Sequence, residues 1–170
     1  ISAKGYIGGV AGYIAEDVTV SGVTVTGNIL VTGNANDFSE ITESSVTDGS
    51  YAGGVAGYSN GTIQRATADV NISIKESVQA EEETKSSAIG GIAGFSTGTL
   101  TDNKAGHNAE ITISGSNYIG GNVGYNLGTI SNTSADFEQN YNNTKVVGNE
   151  YVGGIAGYSK AMRIYKINEL

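Results

Sequence analysis

An eight-residue unit recurs five times along the chain. It runs Tyr6–Tyr13 (YIGGVAGY), Tyr51–Tyr58 (YAGGVAGY), Ala88–Phe95 (AIGGIAGF), Tyr118–Tyr125 (YIGGNVGY) and Tyr151–Tyr158 (YVGGIAGY). The recurring positions are Gly8, Gly9, Gly12 and Tyr13 in the first copy and Gly53, Gly54, Gly57 and Tyr58 in the second. They are Gly90, Gly91, Gly94 and Phe95 in the third, Gly120, Gly121, Gly124 and Tyr125 in the fourth, and Gly153, Gly154, Gly157 and Tyr158 in the fifth. Successive copies are 45, 37, 30 and 33 residues apart, counted between their first glycines. A period of about 20–50 residues marks a solenoid, a propeller or an array. A constant octet with variable spacing points to constant rungs joined by variable loops.

Echoes follow each octet at fixed distances. Five residues past the closing aromatic stand Val18, Ile63, Leu100 and Ile130, the last three within Gly-Thr-Ile or Gly-Thr-Leu. Ten past it stand Val23, Ala68, Ala105 and Ala135, and twelve past it Val25, Val70, His107 and Phe137. The step from ten to twelve is a strand period. The odd step from five to ten suggests a corner or bulge. Apolar and hydroxyl residues alternate, with β-branched types dominant, in 18–26, 70–74 and 111–114, the pattern of short strands. No segment offers an amphipathic helix of useful length; the acidic stretch 76–85 and the C-terminal tail are candidates for a helical turn.

These signals predict an all-β chain, a right-handed parallel β-helix (β-solenoid) of about five circuits with projecting loops. Residues 1–170 form one such unit, with repeats starting near 6, 51, 88, 118 and 151. Each circuit is expected to hold about three short strands. At about 4.8 Å per circuit the core would be about 20–25 Å long. Insertions at 28–50 and 75–87 are expected to project. Equivalent residues would stack, so Tyr13, Tyr58, Phe95, Tyr125 and Tyr158 form one aromatic ladder. Tyr6, Tyr51, Tyr118 and Tyr151 form another, interrupted at Ala88. Simple alternation puts Ile7, Gly9, Ala11 and Tyr13 on one face of the octet and Tyr6, Gly8, Val10 and Gly12 on the other. Both faces are partly apolar, so the pattern leaves open which is inside. It also leaves open whether the glycines make room for a neighbour or supply a positive φ.

Composition agrees. Of 26 glycines, 15 lie in the octets, so glycine here is placed rather than scattered. Proline is absent, as suits strands paired on both sides, where a missing N–H breaks the ladder. Cysteine is absent too, which removes disulfides and thiolate metal sites. No apolar run reaches the 18 residues that suggest a membrane-spanning helix. No signal peptide is visible, and a chain starting at Ile1 reads as a piece of something longer. The net charge is −8. Lys160, Arg163 and Lys166 sit near the C-terminus, so the octet-bearing body is more acidic still. Such a surface repels phosphate and argues against nucleic acid as a partner.

Recognisable chemistry is sparse. No P-loop, no G-x-S-x-G elbow and no H-E-x-x-H zinc motif occurs. The octet lacks the Asp of glycine-rich calcium-binding nonapeptides. His107 is the lone histidine and falls in an apolar register, where a packed or corner residue is expected; one histidine does not make a metal site. The neighbouring acids Glu16 and Asp17 are a weak hint of a glycosidase or lyase. The tyrosine rows hint at sugar stacking. Threonine-rich alternation hints at an ice-binding face, but the Thr positions do not repeat in every circuit by this count. Four N-x-S/T triplets, at Asn60, Asn71, Asn132 and Asn142, are what chance gives in a chain this rich in Asn, Ser and Thr. No catalytic, metal or cofactor-binding residue is assigned, and no cofactor is expected.

The octet at 151–158, and 118–130 with its Gly-Thr-Ile, resemble the GLUG motif, a glycine-rich repeat of secreted bacterial proteins. It occurs in zinc metallopeptidases that cleave immunoglobulin A and in adhesin-like surface proteins. Five copies extend the resemblance over nearly the whole chain. It implies an extracellular or cell-surface β-solenoid attached to other domains. Departures are Ala88, Asn122 and a last copy without Gly-Thr-Ile. The expected function is a non-catalytic spacer and protein-interaction or adhesion surface, with a host or cell-surface protein or glycan as partner. The alternatives are a substrate-positioning accessory of a large zinc metalloprotease and a carbohydrate-binding β-helix.

Overall fold

A computed structural model describes residues 1–3, 5–32, 50–74, 87–106, 111–115, 117–135, 144–148, 150–160 and 164–165. Every regular element among them is a strand, and every strand pair is parallel. The chain coils, and equivalent strands from successive circuits stack into four sheets, the architecture of a parallel β-helix. The first sheet holds Tyr6–Gly8, Ser50–Gly53, Ser87–Gly90, Tyr118–Gly120 and Val152–Gly153. The second holds Ala11–Ile14, Ala56–Ser59, Ala93–Ser96, Val123–Asn126 and Ala156–Ser159. Thr19–Ser21, Thr62–Gln64, Thr99–Thr101, Thr129–Ser131 and Ile164–Tyr165 make the third. The fourth has seven strands. Thr24–Val31 and Thr67–Ile74 are its long members, and Ser2–Ala3, Lys104–Ala105, Ile111–Ser114, Ser134–Ala135 and Thr144–Val147 its short ones.

Each of the first four circuits therefore uses four faces, where three strands are expected from sequence. The extra face comes from the octet, which is two strands and not one. Its second glycine and the next residue form a bend. The bend is itself hydrogen-bonded from circuit to circuit: Gly9 N–H to Gly54 O at 2.9 Å, Gly54 to Gly91 at 2.9 Å, and Gly91 to Gly121 at 3.0 Å. A bend resets the alternation, so the two-face assignment for the octet does not hold. Ile7, Ala52, Ile89 and Ile119 point into the coil from the first strand. Val55 and Ile92 enter it from the bend, and Ala56, Ala93 and Val123 from the second strand. Ile63, Leu100 and Ile130 line the third sheet, and Ile29, Ile72 and Ile113 the fourth. Burying a large aliphatic side chain contributes about 1.5–3 kcal/mol over leaving it exposed. The interior is thus a column of like residues in register.

The first circuit departs from the register read from sequence. Thr19, Val20 and Ser21 pair with Thr62, Ile63 and Gln64, and Val25 pairs with Ala68. Val20, Val25 and Gly27, not Val18, Val23 and Val25, hold the echo positions opposite Ile63, Ala68 and Val70. The turn over Ala15–Val18, closed by Val18 N–H on Ala15 O at 3.1 Å, absorbs two extra residues. The expected insertion at 28–50 also begins later, because Asn28–Val31 pair with Asn71–Ile74. Residues 33–49 and 75–86, where loops are expected, lie outside the described residues, as does His107.

The corner between third and fourth sheets has one solution. Gly22 (φ +66), Arg65 (φ 53), Asp102 (φ 54) and Asn132 (φ 46) occupy equivalent positions, all left-handed. This is the corner implied by the odd step in the sequence echoes. After it, Asn103 is fully buried, accepts from Ala66 N–H at 2.9 Å and donates to Ile63 O at 2.9 Å. A single amide thereby satisfies two backbone groups of the preceding circuit.

Candidate functional site

The octet's bend brings its first and last residues to one side of the coil, away from the aliphatic interior. There Tyr6, Tyr51, Tyr118 and Tyr151 meet Tyr13, Tyr58, Phe95, Tyr125 and Tyr158 in a continuous aromatic seam. Along the closing positions, ring centroids are 5.1 Å apart for Tyr13–Tyr58, 5.1 Å for Tyr58–Phe95, 5.3 Å for Phe95–Tyr125 and 4.6 Å for Tyr125–Tyr158. Along the opening positions, Tyr6 stacks on Tyr51 at 5.4 Å and Tyr118 on Tyr151 at 5.0 Å. Both ladders expected from sequence are present. Ala88 interrupts the second, and Tyr51 leans across it to Phe95 at 5.1 Å.

Sequence reasoning missed the contacts between the ladders. Tyr6 meets Tyr58 at 5.9 Å, Tyr118 meets Tyr125 at 5.0 Å, and Tyr151 meets Tyr158 at 5.9 Å. The signal was available. Two aromatics seven apart around Gly-Gly fit a fold-back as well as a strand. Each such pair adds about 0.5–1.5 kcal/mol beyond its area. Tyr51 and Phe95 are fully buried and Tyr125 nearly so, whereas Tyr13 and Tyr151 at the two ends are half exposed. Through the middle circuits the rings pack on one another.

The three octet glycines each face backbone. A Cβ on Gly53, Gly90 or Gly120 would fall on the carbonyl oxygen of Ala56, Ala93 or Val123 in the same circuit. One on Gly54 or Gly91 would fall on the carbonyl of Gly91 or Gly121 in the next circuit. One on Gly57, Gly94 or Gly124 would meet the amide nitrogen of Ile7, Ala52 or Ile89 in the previous circuit. None of them has a positive φ. Close main-chain approach, not conformational freedom, requires glycine at these sites.

Polar groups elsewhere bond mainly along the stack. Tyr58 and Thr97 hydroxyls lie 3.1 Å apart, and Thr97 Oγ1 donates to Asn60 Oδ1 at 2.7 Å. Asn126 closes its corner onto Gly128 O at 3.0 Å and reaches Ser159 Oγ at 3.2 Å. On the third sheet Thr19, Thr62, Thr99 and Thr129 stack in register through the first four circuits; the two extra residues before Thr19 hide the first of these matches in the sequence. Hydroxyls there bond to one another, Ser131 to Thr101 at 2.9 Å. Glu16 and Asp17 are exposed in the turn of the first circuit. Among the described residues no three His, Cys, Asp or Glu side chains gather, and no helix is long and apolar enough to cross a membrane.

Tyr118 in the seam has a shifted acidity. Burial, then the neighbouring Tyr151, Glu150 and Tyr158, raise its pKa above the ordinary 10.0. The fold holds this proton more tightly than the unfolded chain does. The resulting stabilisation is complete below pH 10.0 and is lost as pH rises through the raised value. Spectrophotometric titration of tyrosinate is expected to show a late-ionising component that Tyr118→Phe removes. Alkaline unfolding of the native chain should accompany that component.

Comparison with protein-family models, with curated proteins and with solved structures finds no match in any of the three.

Proposed function

We propose that the chain is a non-catalytic β-solenoid module of an extracellular or cell-surface bacterial protein. In this reading it is a GLUG-type repeat that serves as a spacer and presents an interaction surface. The observation that carries this is where the repeats differ. In the first four circuits the third-sheet strand starts five residues before the fourth-sheet strand: Thr19 and Thr24, Thr62 and Thr67, Thr99 and Lys104, Thr129 and Ser134. In circuits two to four the octet likewise runs into the third sheet at constant spacing. Apart from the two extra residues in the first circuit, the variation in repeat length among these four falls between the start of the fourth-sheet strand and the next octet. Those differences in length thus lie along the fourth sheet and at its junction with the first sheet. A constant rod with variable material along one edge suits a partner-binding role better than catalysis by residues shared among repeats.

The test is binding by the purified chain to immunoglobulin A and to a glycan array, repeated with residues 33–49 replaced by a short Gly/Ser linker. The expected result is a protein ligand whose binding falls at least tenfold in the shortened chain while circular dichroism stays β-type. Glycan binding that depends on Tyr13 or Tyr151 would favour the carbohydrate reading instead. Hydrolysis of either probe by the chain alone would sink the non-catalytic one.

A further inference from the structure

The chain has ten tyrosines, no tryptophan, no cysteine and a single methionine. Methionine ends as a sulfoxide, so tyrosine is the residue left to give up single electrons. Eight of the ten stand in the octets, and they fall into two groups. In the first two circuits Tyr6 lies 5.4 Å from Tyr51 and 5.9 Å from Tyr58, and Tyr13 lies 5.1 Å from Tyr58, between ring centroids. In the fourth and fifth circuits Tyr118 lies 5.0 Å from both Tyr125 and Tyr151, and Tyr125 lies 4.6 Å from Tyr158. No tyrosine occurs between 58 and 118. The third circuit puts Ala88 and Phe95 in the two registers. Phe95, which has no hydroxyl, stands between the groups, 5.1 Å from Tyr51 and Tyr58 and 5.3 Å from Tyr125.

Stacking in register sets which phenols meet. Tyr6 pairs with Tyr51, Tyr13 with Tyr58 and Tyr125 with Tyr158 along the sheets. Like ring positions of neighbouring circuits therefore lie side by side. The interplanar angles are 9° for Tyr6–Tyr51, 18° for Tyr118–Tyr151 and 25° for Tyr125–Tyr158. From such near-parallel contacts, a tip of either ring brings together the carbons beside the two hydroxyls.

We propose that the seam is an oxidative cross-linking site, where one-electron oxidation joins tyrosines of neighbouring circuits as dityrosine, separately in the two groups. Each of two phenols gives one electron to the oxidant and releases its O–H proton. The two tyrosyl radicals form a C–C bond between ring carbons ortho to oxygen. The hydrogens on those carbons return to the oxygens as the rings become aromatic again. One hydrogen peroxide, reduced by a haem peroxidase, takes both electrons and both protons and leaves as two waters. Rings held in contact couple without a diffusive encounter, so the bond forms within one chain. It closes a loop of 45 residues in the first group or 33 in the second. In a chain without cysteine it constrains the unfolded state as a disulfide would.

The test is oxidation of the purified chain at micromolar concentration with a haem peroxidase and hydrogen peroxide. It is repeated with photo-oxidised ruthenium tris-bipyridyl and persulfate, which need no enzyme contact. A Tyr141→Phe, Tyr165→Phe background removes the two tyrosines outside the octets, and circular dichroism checks its β signal. Dityrosine fluorescence is expected in the monomeric gel band. Peptide mapping is expected to join 6 to 51 or 13 to 58, and 118 to 151 or 125 to 158, with no bond between the groups. The urea midpoint of the oxidised monomer is expected to rise. Adding Tyr151→Phe and Tyr158→Phe is expected to remove the bonds between the fourth and fifth circuits and leave those of the first group unchanged. Absence of dityrosine from the monomer with both oxidants overturns the proposal. So does a bond between the two groups, or the same map from a chain oxidised while unfolded in urea.

Discussion

Replacing Gly90 with alanine is expected to destabilise the coil by about 3 kcal/mol or more, the upper end of the cost of overpacking. A Cβ there would lie within 3.0 Å of Ala93 O, Asn122 O and Val123 Cα. All three atoms are main chain, held by hydrogen bonds within and between circuits. Relief would require moving the third circuit away from the fourth, which breaks the Ile92 N–H to Asn122 O bond of 2.8 Å and its neighbours. Gly115→Ala is the matched comparison. Its Cβ would meet the Cδ1 atoms of Ile119, Ile89 and Ile74, the far ends of side chains that can rotate. Its cost is expected to stay within about 1 kcal/mol, offset in part by the lower entropy of the unfolded chain. Urea unfolding of the two variants side by side measures the difference. Equal losses would mean that backbone contact is not what holds glycine in the octet.

The opposite sign is expected at Asn122. Its register is otherwise aliphatic: Val10, Val55, Ile92 and Ile155. Its side chain is fully buried, and neither amide atom has a hydrogen-bond partner among the described residues. Its backbone is not at fault, because Asn122 N–H reaches Ile155 O at 3.0 Å as in the other circuits. Leaving a buried polar group unsatisfied costs about 1–3 kcal/mol, and an aliphatic side chain adds its own transfer energy. Asn122→Ile is therefore expected to stabilise the chain by about 2–3 kcal/mol and to raise its urea midpoint with an unchanged slope. Asn103→Ile should do the reverse, since that amide is hydrogen-bonded to Ala66 N and Ile63 O. A loss of stability on Asn122→Ile would show that the amide has a partner in the folded chain.

Both effects follow from the way a coil uses its repeats. Each position is stacked on its equivalents, so a substitution is judged against the residues above and below it. The same comparison holds for exposure. Val10 and Val152 take registers whose middle-circuit members, Ile92 and Ile119, are fully buried, and are themselves about half exposed. The stability of the coil is then close to a sum of circuit terms and junction terms.

Much of this was legible in the sequence because parallel stacking puts like on like. Five octets at solenoid spacing, the β-branched alternation and the missing proline sufficed for an all-β coil of about five circuits and for its aromatic ladders. The odd step between echoes announced the left-handed corner at Arg65, Asp102 and Asn132. What the residues could not decide is direction. Alternation assigns faces only within an unbroken strand, and the octet bends at its second glycine, so Ile7, Val55 and Ala56 all turn inward although they differ in parity. The two extra residues before Thr19 were invisible for a related reason. Register is set by hydrogen bonds to a circuit some 40 residues away, and no local count contains that partner. The glycines were plain from sequence, but only the tertiary structure shows the main chain each one abuts, because those contacts exist only once the octet has bent and the circuits have stacked.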